Sequence, residues 1–545
     1  CRDLTALFDA HGYQDSVIFG HAKDGNIHFM LNEQFRDAKQ LVRYREFTEE
    51  MVQLILEADG SLKAEHGTGR IMAPFVRRQF GDELFEVMHE IKRLIDPKGF
   101  LNPGVVLAEE DTDYATDLKV AETVEEEVDR CVECGYCEPV CPSKDLTLTP
   151  RQRIVLRREI AAAEANGDTK LAERLRQEYE YYGVDTCAVD GMCVTRCPVL
   201  INTGDLVRRL RAENQDALGA AGWKFASKHW GTIDKVAGKA LTAAKMLPFP
   251  VVRGATDIGR KLFGDDMVPA YKKELSAGGA PRVPHAEANP DIVFFPACVN
   301  AMFGGVDGEG KHDPVNATQA FIRLCERAGV KYRVPEGIDQ MCCGTPWKSK
   351  GYTDGYSIMS DRVLKALWQA TDGGRIPIVC DASSCTEGLE VMRAKVAAAL
   401  EHKITHGLGA GEADYAQLKL IDSVQFAADT LLPKLTVSAP LPSLALHPTC
   451  SMTHLGVQPA FEKIANAMSD QVYVPKNWGC CGYAGDRGML HPELTQSATR
   501  AETAELNEHE FAAYISSNRT CEQGMTEATG HTFQNVLQLL ERATR

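Results

Sequence analysis

The chain has 545 residues, 44% hydrophobic and 25% charged, with 60 Lys and Arg against 76 Asp and Glu and a net charge of −16. This is globular composition, long enough for three or four domains, and its acidity argues against a nucleic-acid role. No apolar run approaches the roughly 18 residues that span a bilayer. With no export signal, the 18 cysteines point to the reducing cytoplasm and to metal or redox work rather than disulfides.

The chain starts at Cys1 and runs straight into "DLTALFDAHGYQDSVIFGHAKDGNIHF", which reads as the middle of a domain, so an N-terminal truncation is expected. Residues 1–108 combine β-like runs at 16–19 and 27–31 with helical periodicity at 44–58 and 83–95, an α+β pattern closed by "DPKGFLNPGVVL". The acidic stretch 109–128 reads as a solvated linker. Residues 129–215 hold two cysteine clusters on either side of a charged helical stretch broken at Asn166-Gly167. The segment 216–288 connects. Its part between Trp223 and Lys261 carries eight Lys or Arg against Asp234 and Asp257, with Trp223, Phe225, Trp230 and Phe249 among them. Such a segment suits either peripheral contact with an anionic membrane near a quinone acceptor or a solvated linker helix packing on the ferredoxin domain.

An internal repeat fills the rest, as modules 289–435 and 436–545. "PACVNAMFG" matches "PTCSMTHLG", each is followed by Cys-Cys-Gly, and each ends in a later cysteine. Buried-looking strands alternate with helices, so both modules are expected to be α/β. They bring four cysteines each: Cys298, Cys342, Cys343 and Cys385, then Cys450, Cys480, Cys481 and Cys521. Four thiolates can hold a cluster or zinc, and a structural thiol group is the alternative. Cys325 and Cys380 read as small buried apolar residues.

"CVECGYCEPVCP" has the C-x2-C-x2-C-x3-C-P spacing of an iron–sulfur loop, in which soft thiolates suit iron and the fourth cysteine serves the other cluster. One 4Fe–4S cluster is therefore expected on Cys131, Cys134, Cys137 and Cys197. In the second run, "CAVDGMCVTRCP", Asp190 stands where a cysteine belongs. The second cluster then falls to Cys141, Cys187, Cys193 and Asp190, as 3Fe–4S or as 4Fe–4S with a labile iron. The alternative leaves Asp190 in a loop and completes an ordinary cluster with another cysteine. The whole of 129–215 resembles the two-cluster ferredoxin domain of helical electron-transfer subunits.

"GHAKDGNIH" and "EHGTGR" supply His21, His28 and Glu65, imidazoles and a carboxylate of the kind that bind a divalent metal and leave positions open for substrate oxygens. With "DPKGFLNPGVVL" they resemble the C-terminal half of FAD-linked oxidases of the vanillyl-alcohol oxidase type, specifically D-lactate and D-2-hydroxyglutarate dehydrogenases. That resemblance implies a zinc-like metal on His21, His28 and Glu65, and His66 as acceptor of the substrate hydroxyl proton. It also implies substrate- or flavin-side roles for Asn26, Lys63, Arg70 and Asn102. The repeat resembles the cysteine-rich CCG domains of heterodisulfide reductases and of glycolate and glycerol-3-phosphate oxidase subunits, but Ala382 and Asn518 replace one cysteine of the family's set in each module.

The order of parts resembles the large FAD and iron–sulfur D-lactate dehydrogenases across the chain. Their glycine-rich FAD loops would precede residue 1. The implied activity is oxidation of a D-2-hydroxyacid, D-lactate first and D-2-hydroxyglutarate second, with electrons leaving for a quinone or cytochrome. An iron–sulfur electron-transfer subunit without its own substrate, and a zinc-stapled scaffold, are the readings of another class. The expected location is the cytoplasm, with or without contact at the inner face of the cell membrane.

Overall fold

Alternating and helical periodicities resolve into two compact units, residues 1–122 and 123–545, in a computed structural model. It describes all residues except 14, 15, 32, 34, 36, 64, 109–113, 117, 119–122, 266 and 406–413, and the side chains of 397–405.

The first unit holds α1 (Arg2–Ala10), a hairpin of β1 (Val17–Phe19) and β2 (His28–Met30), α2 (Ala38–Glu57) and α3 (Val76–Ile95). Leu4 and Phe8 of α1 meet Phe47, Met51 and Val52 of α2, and the Phe8 and Phe29 rings lie 5.8 Å apart edge to face. Asp37 caps α2 by accepting from Gln40 N–H at 2.9 Å. The hairpin pairs Phe19 with His28, so the loop between them projects from a fixed base. Gly20 lets that loop close: a Cβ there would sit 2.2 Å from the Asn26 carbonyl oxygen.

In the second unit, Pro150 and a Thr149–Gln152 capping box start α4 (Pro150–Ala165). Gly167, at φ +75°, ends the turn after it, and Asp168 caps α5 (Thr169–Tyr179). With α6 (Thr203–Glu213) these helices frame the two cysteine clusters. The acidic stretch departs from the linker expected at 109–128. Tyr114 packs its ring on Phe75 at 5.1 Å. Glu125 is buried between Arg157 and Arg209, and Val128 is fully buried with Ile154 and Val207. These residues carry enough apolar surface and enough cationic partners to join the domains that flank them. Residues 109–113, 117 and 119–122 lie outside the described set.

The connecting segment forms α7 (Ala217–Lys228), α8 (Trp230–Met246) and α9 (Phe249–Phe263). Trp223 and Trp230 pack on the fully buried Trp347, with ring centroids at 5.9 and 4.9 Å. Half of the aromatic content weighed for lipid contact therefore anchors these helices on the first repeat module.

That module builds a parallel sheet from β3 (Ile292–Phe295), β6 (Tyr332–Arg333), β7 (Ile378–Cys380) and β8 (Leu420–Asp422), with a small hairpin of β4 (Gly305–Val306) and β5 (His312–Asp313) beside it. The second repeats the arrangement with β9 (Leu444–Leu446), β10 (Val472–Tyr473), β11 (Ala513–Ser516) and β12 (Phe533–Asn535). Strand order is β6-β3-β7-β8 and β10-β9-β11-β12, so the first and third strands of each module lie side by side. The cysteines follow the carboxyl ends of those strands, where open α/β sheets form their binding crevice. Gly344 and Gly482 of the Cys-Cys-Gly turns sit at φ +82° and +69°, which explains the glycine. The modules meet through the helices 317–327 and 536–543, with Arg327 on the buried Glu541 at 2.6 Å.

Trp347→Ala should cost about 3–5 kcal/mol, the usual range for emptying a buried aromatic site. Urea unfolding should show it, with α7 and α8 becoming more sensitive to protease.

Candidate functional site

In the first unit, His28 Nε2 lies 2.9 Å and His21 Nε2 3.4 Å from one oxygen of Glu65. Asn26 braces the set, donating its amide to the same Glu65 oxygen at 3.1 Å and accepting from His21 N–H at 2.8 Å. Desolvation is the largest single influence and opposes the Glu65 charge, but the bond to His28 and the three neighbouring histidines together hold its carboxyl below the ordinary range. The ligating atoms of His21, His28 and Glu65 all fall within 4.8 Å of one another. Two imidazoles and a carboxylate, half exposed, fit a divalent ion with open positions. The His66 ring lies 5.1 Å from that of His28. Lys63 and Arg70 are exposed on the same segment, and Val106 N–H donates to Gly69 O at 3.2 Å, which ties the loop of the exposed Asn102 to it.

In the second unit the cysteines sort into two small pockets that differ from their order in sequence. One is lined by Cys131, Cys134, Cys137 and Cys197, with Val199 and Ile201. The other is lined by Cys141, Cys187, Cys193 and Asp190. Burial pushes the Cys137 thiol up to about 11 and that of Cys193 up to about 12, the latter helped by Asp190. Fully buried Arg153 offsets this at Cys141: it donates to Cys141 Sγ at 3.7 Å and to Ser143 Oγ at 2.9 Å. Pockets made of thiols and apolar carbon fit iron–sulfur clusters, whose binding displaces the thiol protons. Asp190 is half-buried, its carboxyl pushed up to about 6 by desolvation against the opposing pull of Cys480 and His454, and its Oδ2, itself shielded from solvent, has no hydrogen-bond partner among the described residues.

Asp190 also lines a larger cavity of about 410 Å³, and there all eight repeat-module cysteines converge. Cys298 and Cys342 sulfurs stand 3.6 Å apart. Donation from Cys342 and Cys385 holds Cys343 well down toward thiolate, and donation from Cys521 does the same for Cys481. Cys380, read from sequence as a small buried apolar residue, is fully buried in the core on the strand end behind Cys385, with its thiol toward Ala382 O at 3.9 Å. Cys325 is fully buried in the core. Asn518, in a position where the resembled family has cysteine, instead accepts from Ser384 N–H of the other module at 3.1 Å.

Sequence reasoning missed three partners. His454 Nδ1 meets Glu387 across the modules at 2.7 Å, and Lys348, whose burial pushes it down to about 8, lines the large cavity. His447 lies beside Cys481 and Cys521. The available signal was the repeat itself: His447 precedes "PTC" where Phe295 precedes "PAC".

Residues 1–106 match the FAD linked oxidases, C-terminal domain; residues 127–201 match the 4Fe-4S dicluster domain; residues 292–390 and 444–526 match the CCG cysteine-rich domain. The three matches fall along the chain in that order, an oxidase C-terminal domain followed by iron–sulfur and paired cysteine-rich domains. The chain is 25% identical over 260 residues to D-2-hydroxyglutarate dehydrogenase of Escherichia coli, covering 38% of this chain and 25% of that protein. It is 34% identical over 108 residues to D-lactate dehydrogenase of Archaeoglobus fulgidus, 19% of this chain and 23% of the relative. Glycolate oxidase subunit GlcD of Bacillus subtilis is 32% identical over 109 residues, 20% and 22%. The chain thus spans about a quarter of these relatives' length.

Glu65→Gln removes the one carboxylate of the exposed metal set. It should lower zinc affinity by about 10-fold or more in a chelator competition, with iron content unchanged.

Proposed function

We propose that this chain is the substrate-side and electron-relay portion of an FAD-dependent D-2-hydroxyacid dehydrogenase, acting on D-lactate and passing electrons through iron–sulfur clusters to a quinone or cytochrome. The observation that carries it is the His21–His28–Glu65 set with His66 at its edge, in one chain with two sulfur-lined pockets. His21, His28 and Glu65 hold a divalent metal, zinc by donor type, against the hydroxyl and carboxylate of the substrate. Lys63 and Arg70 add positive charge for the carboxylate, and Asn26 and Asn102 orient the site. His66 takes the hydroxyl proton, which metal chelation makes more acidic, so a neutral imidazole suffices. FAD, when bound, supplies the acceptor for the C2 hydride. The cysteine pockets carry the electrons onward, with Asp190 in the fourth position of the second.

D-2-hydroxyglutarate is the second reading. Relatives of that name align over 253 to 260 residues, further than the D-lactate and glycolate relatives. Adding each hydroxyacid anaerobically to the FAD-loaded enzyme separates the cases. D-lactate should reduce flavin and clusters with kcat/KM at least about 10-fold above D-2-hydroxyglutarate and glycolate, and His66→Ala should slow it about 10²- to 10⁴-fold with metal content unchanged. Reduction by D-2-hydroxyglutarate alone shifts the substrate; inertness to all three leaves an electron-transfer subunit.

The acceptor side lies at α8 and α9. Met246, Val251, Ile258, Leu262, Phe263 and Met267 are all more than half exposed, and no residue of α9 is fully buried, though Val252 and Phe249 pack on the core beside Tyr271. Arg260 turns inward to Leu490 O at 2.8 Å, so contact with a membrane is led by these apolar side chains. Among the described residues no helix is long and apolar enough to cross one. The protein should float with anionic vesicles, and Leu262→Glu with Phe263→Glu should abolish flotation; unchanged flotation removes this face from the account.

A further inference from the structure

The two modules share a fold but not a donor set. At equivalent positions the first has Phe295 and Cys380 where the second has His447 and Ser516. Phe295 is fully buried apolar packing, whereas His447 is an equally buried polar ring. Its Nδ1 is bound to the buried Glu502 at 2.8 Å. Its Nε2 has no nitrogen or oxygen partner among the described residues and faces the Cys481 thiol instead. Its ligating atom lies within 4.8 Å of the Cys481 and Cys521 sulfurs. Cys450 falls outside that group of three but lines the same cavity as Cys481 and Cys521, from which it can complete the set.

A carboxylate on one imidazole nitrogen and thiols facing the other is the arrangement that fixes the tautomer of a metal-ligating histidine. Building on the reading of the CCG cysteines as metal sites, we propose that the second module holds one tetrahedral zinc ion on His447 Nε2, Cys450, Cys481 and Cys521, with Glu502 as the positioning residue behind His447. Three thiolates and one imidazole are a recurrent closed zinc set. The first module, with four thiols on the cavity and no imidazole, is left with donors suited to an iron–sulfur group. Cys480 is then the one module-two cysteine outside the zinc shell, and its thiol donates toward Asp190 of the second cluster pocket. The second module accordingly is a redox-silent clamp beside the relay, and electrons pass it by.

The test is metal analysis and zinc-edge X-ray absorption on the full chain carrying His21→Ala and Glu65→Gln, which removes the zinc ligands proposed for the first unit, purified anaerobically. The expected result is a zinc shell of one nitrogen and three sulfurs, zinc lost in His447→Ala, and zinc affinity lowered about 10- to 100-fold in Glu502→Gln. Iron and sulfide should be unchanged in both, which also controls for folding. A shell of four sulfurs, or zinc retained in His447→Ala but lost in Cys481→Ser, overturns the role of His447 and leaves a thiolate metal site. Zinc and iron both unaffected by Cys481→Ser overturn the metal reading of the module itself.

Discussion

Neither cysteine pocket of the ferredoxin-like domain closes on one loop. Cys197 joins Cys131, Cys134 and Cys137, and Cys141 joins Cys187 and Cys193. This exchange fixes the domain, because the two cysteine runs must be brought back together by the α4–α5 pair between them. Arg153 takes a central place in it. One fully buried guanidinium reaches Gly183 O at 2.7 Å and the Cys141 sulfur, so it ties the two cysteine runs together while offering positive charge where thiolate is to form. Glu125, clasped by Arg157 and Arg209, locks the entry of the chain onto the same frame.

The same convergence recurs at larger scale in the repeat. Parallel sheets with the first and third strands adjacent deliver cysteines to one edge of each module. Ser383 and Ser517 meet across the modules at 3.1 Å, with Asn518 on Ser384 beside them. Asn518 thus spends its side chain on the contact between modules. The eight thiols consequently face one cavity, which Asp190 also borders. A duplicated fold has been kept while its donors diverged, and the divergence at Phe295 and His447 separates a sulfur-only site from one with nitrogen.

Much of this was legible in the sequence. The 3.6 periodicity located α2 through α5, the Asn166-Gly167 break separated α4 from α5, and the spacing of Cys131 to Cys141 located the pocket-forming loop. The convergence of His21, His28 and Glu65 was legible from two short motifs together with the resemblance they carry, and the structure brings the three donor groups within 4.8 Å of one another. What was not legible depended on long-range burial. Acidic composition marked Glu125 as solvated, yet two arginines distant in sequence bury it. Aromatic content left Trp223 and Trp230 open between lipid contact and packing on the ferredoxin domain, and Trp347, more than a hundred residues on, instead anchors them on the first repeat module. His447 and Glu502 acquire meaning only when neighbouring parallel strands set their ends side by side.

Anaerobic iron and acid-labile sulfide analysis, with electron paramagnetic resonance on the oxidised protein, tests the central claim that the exchanged cysteine pockets carry electrons. The account predicts roughly seven or more iron atoms per chain with matching sulfide, and a three-iron signal that Asp190→Cys replaces with a stable four-iron cluster. Zinc without iron or sulfide would contradict it and leave the cysteines as structural staples.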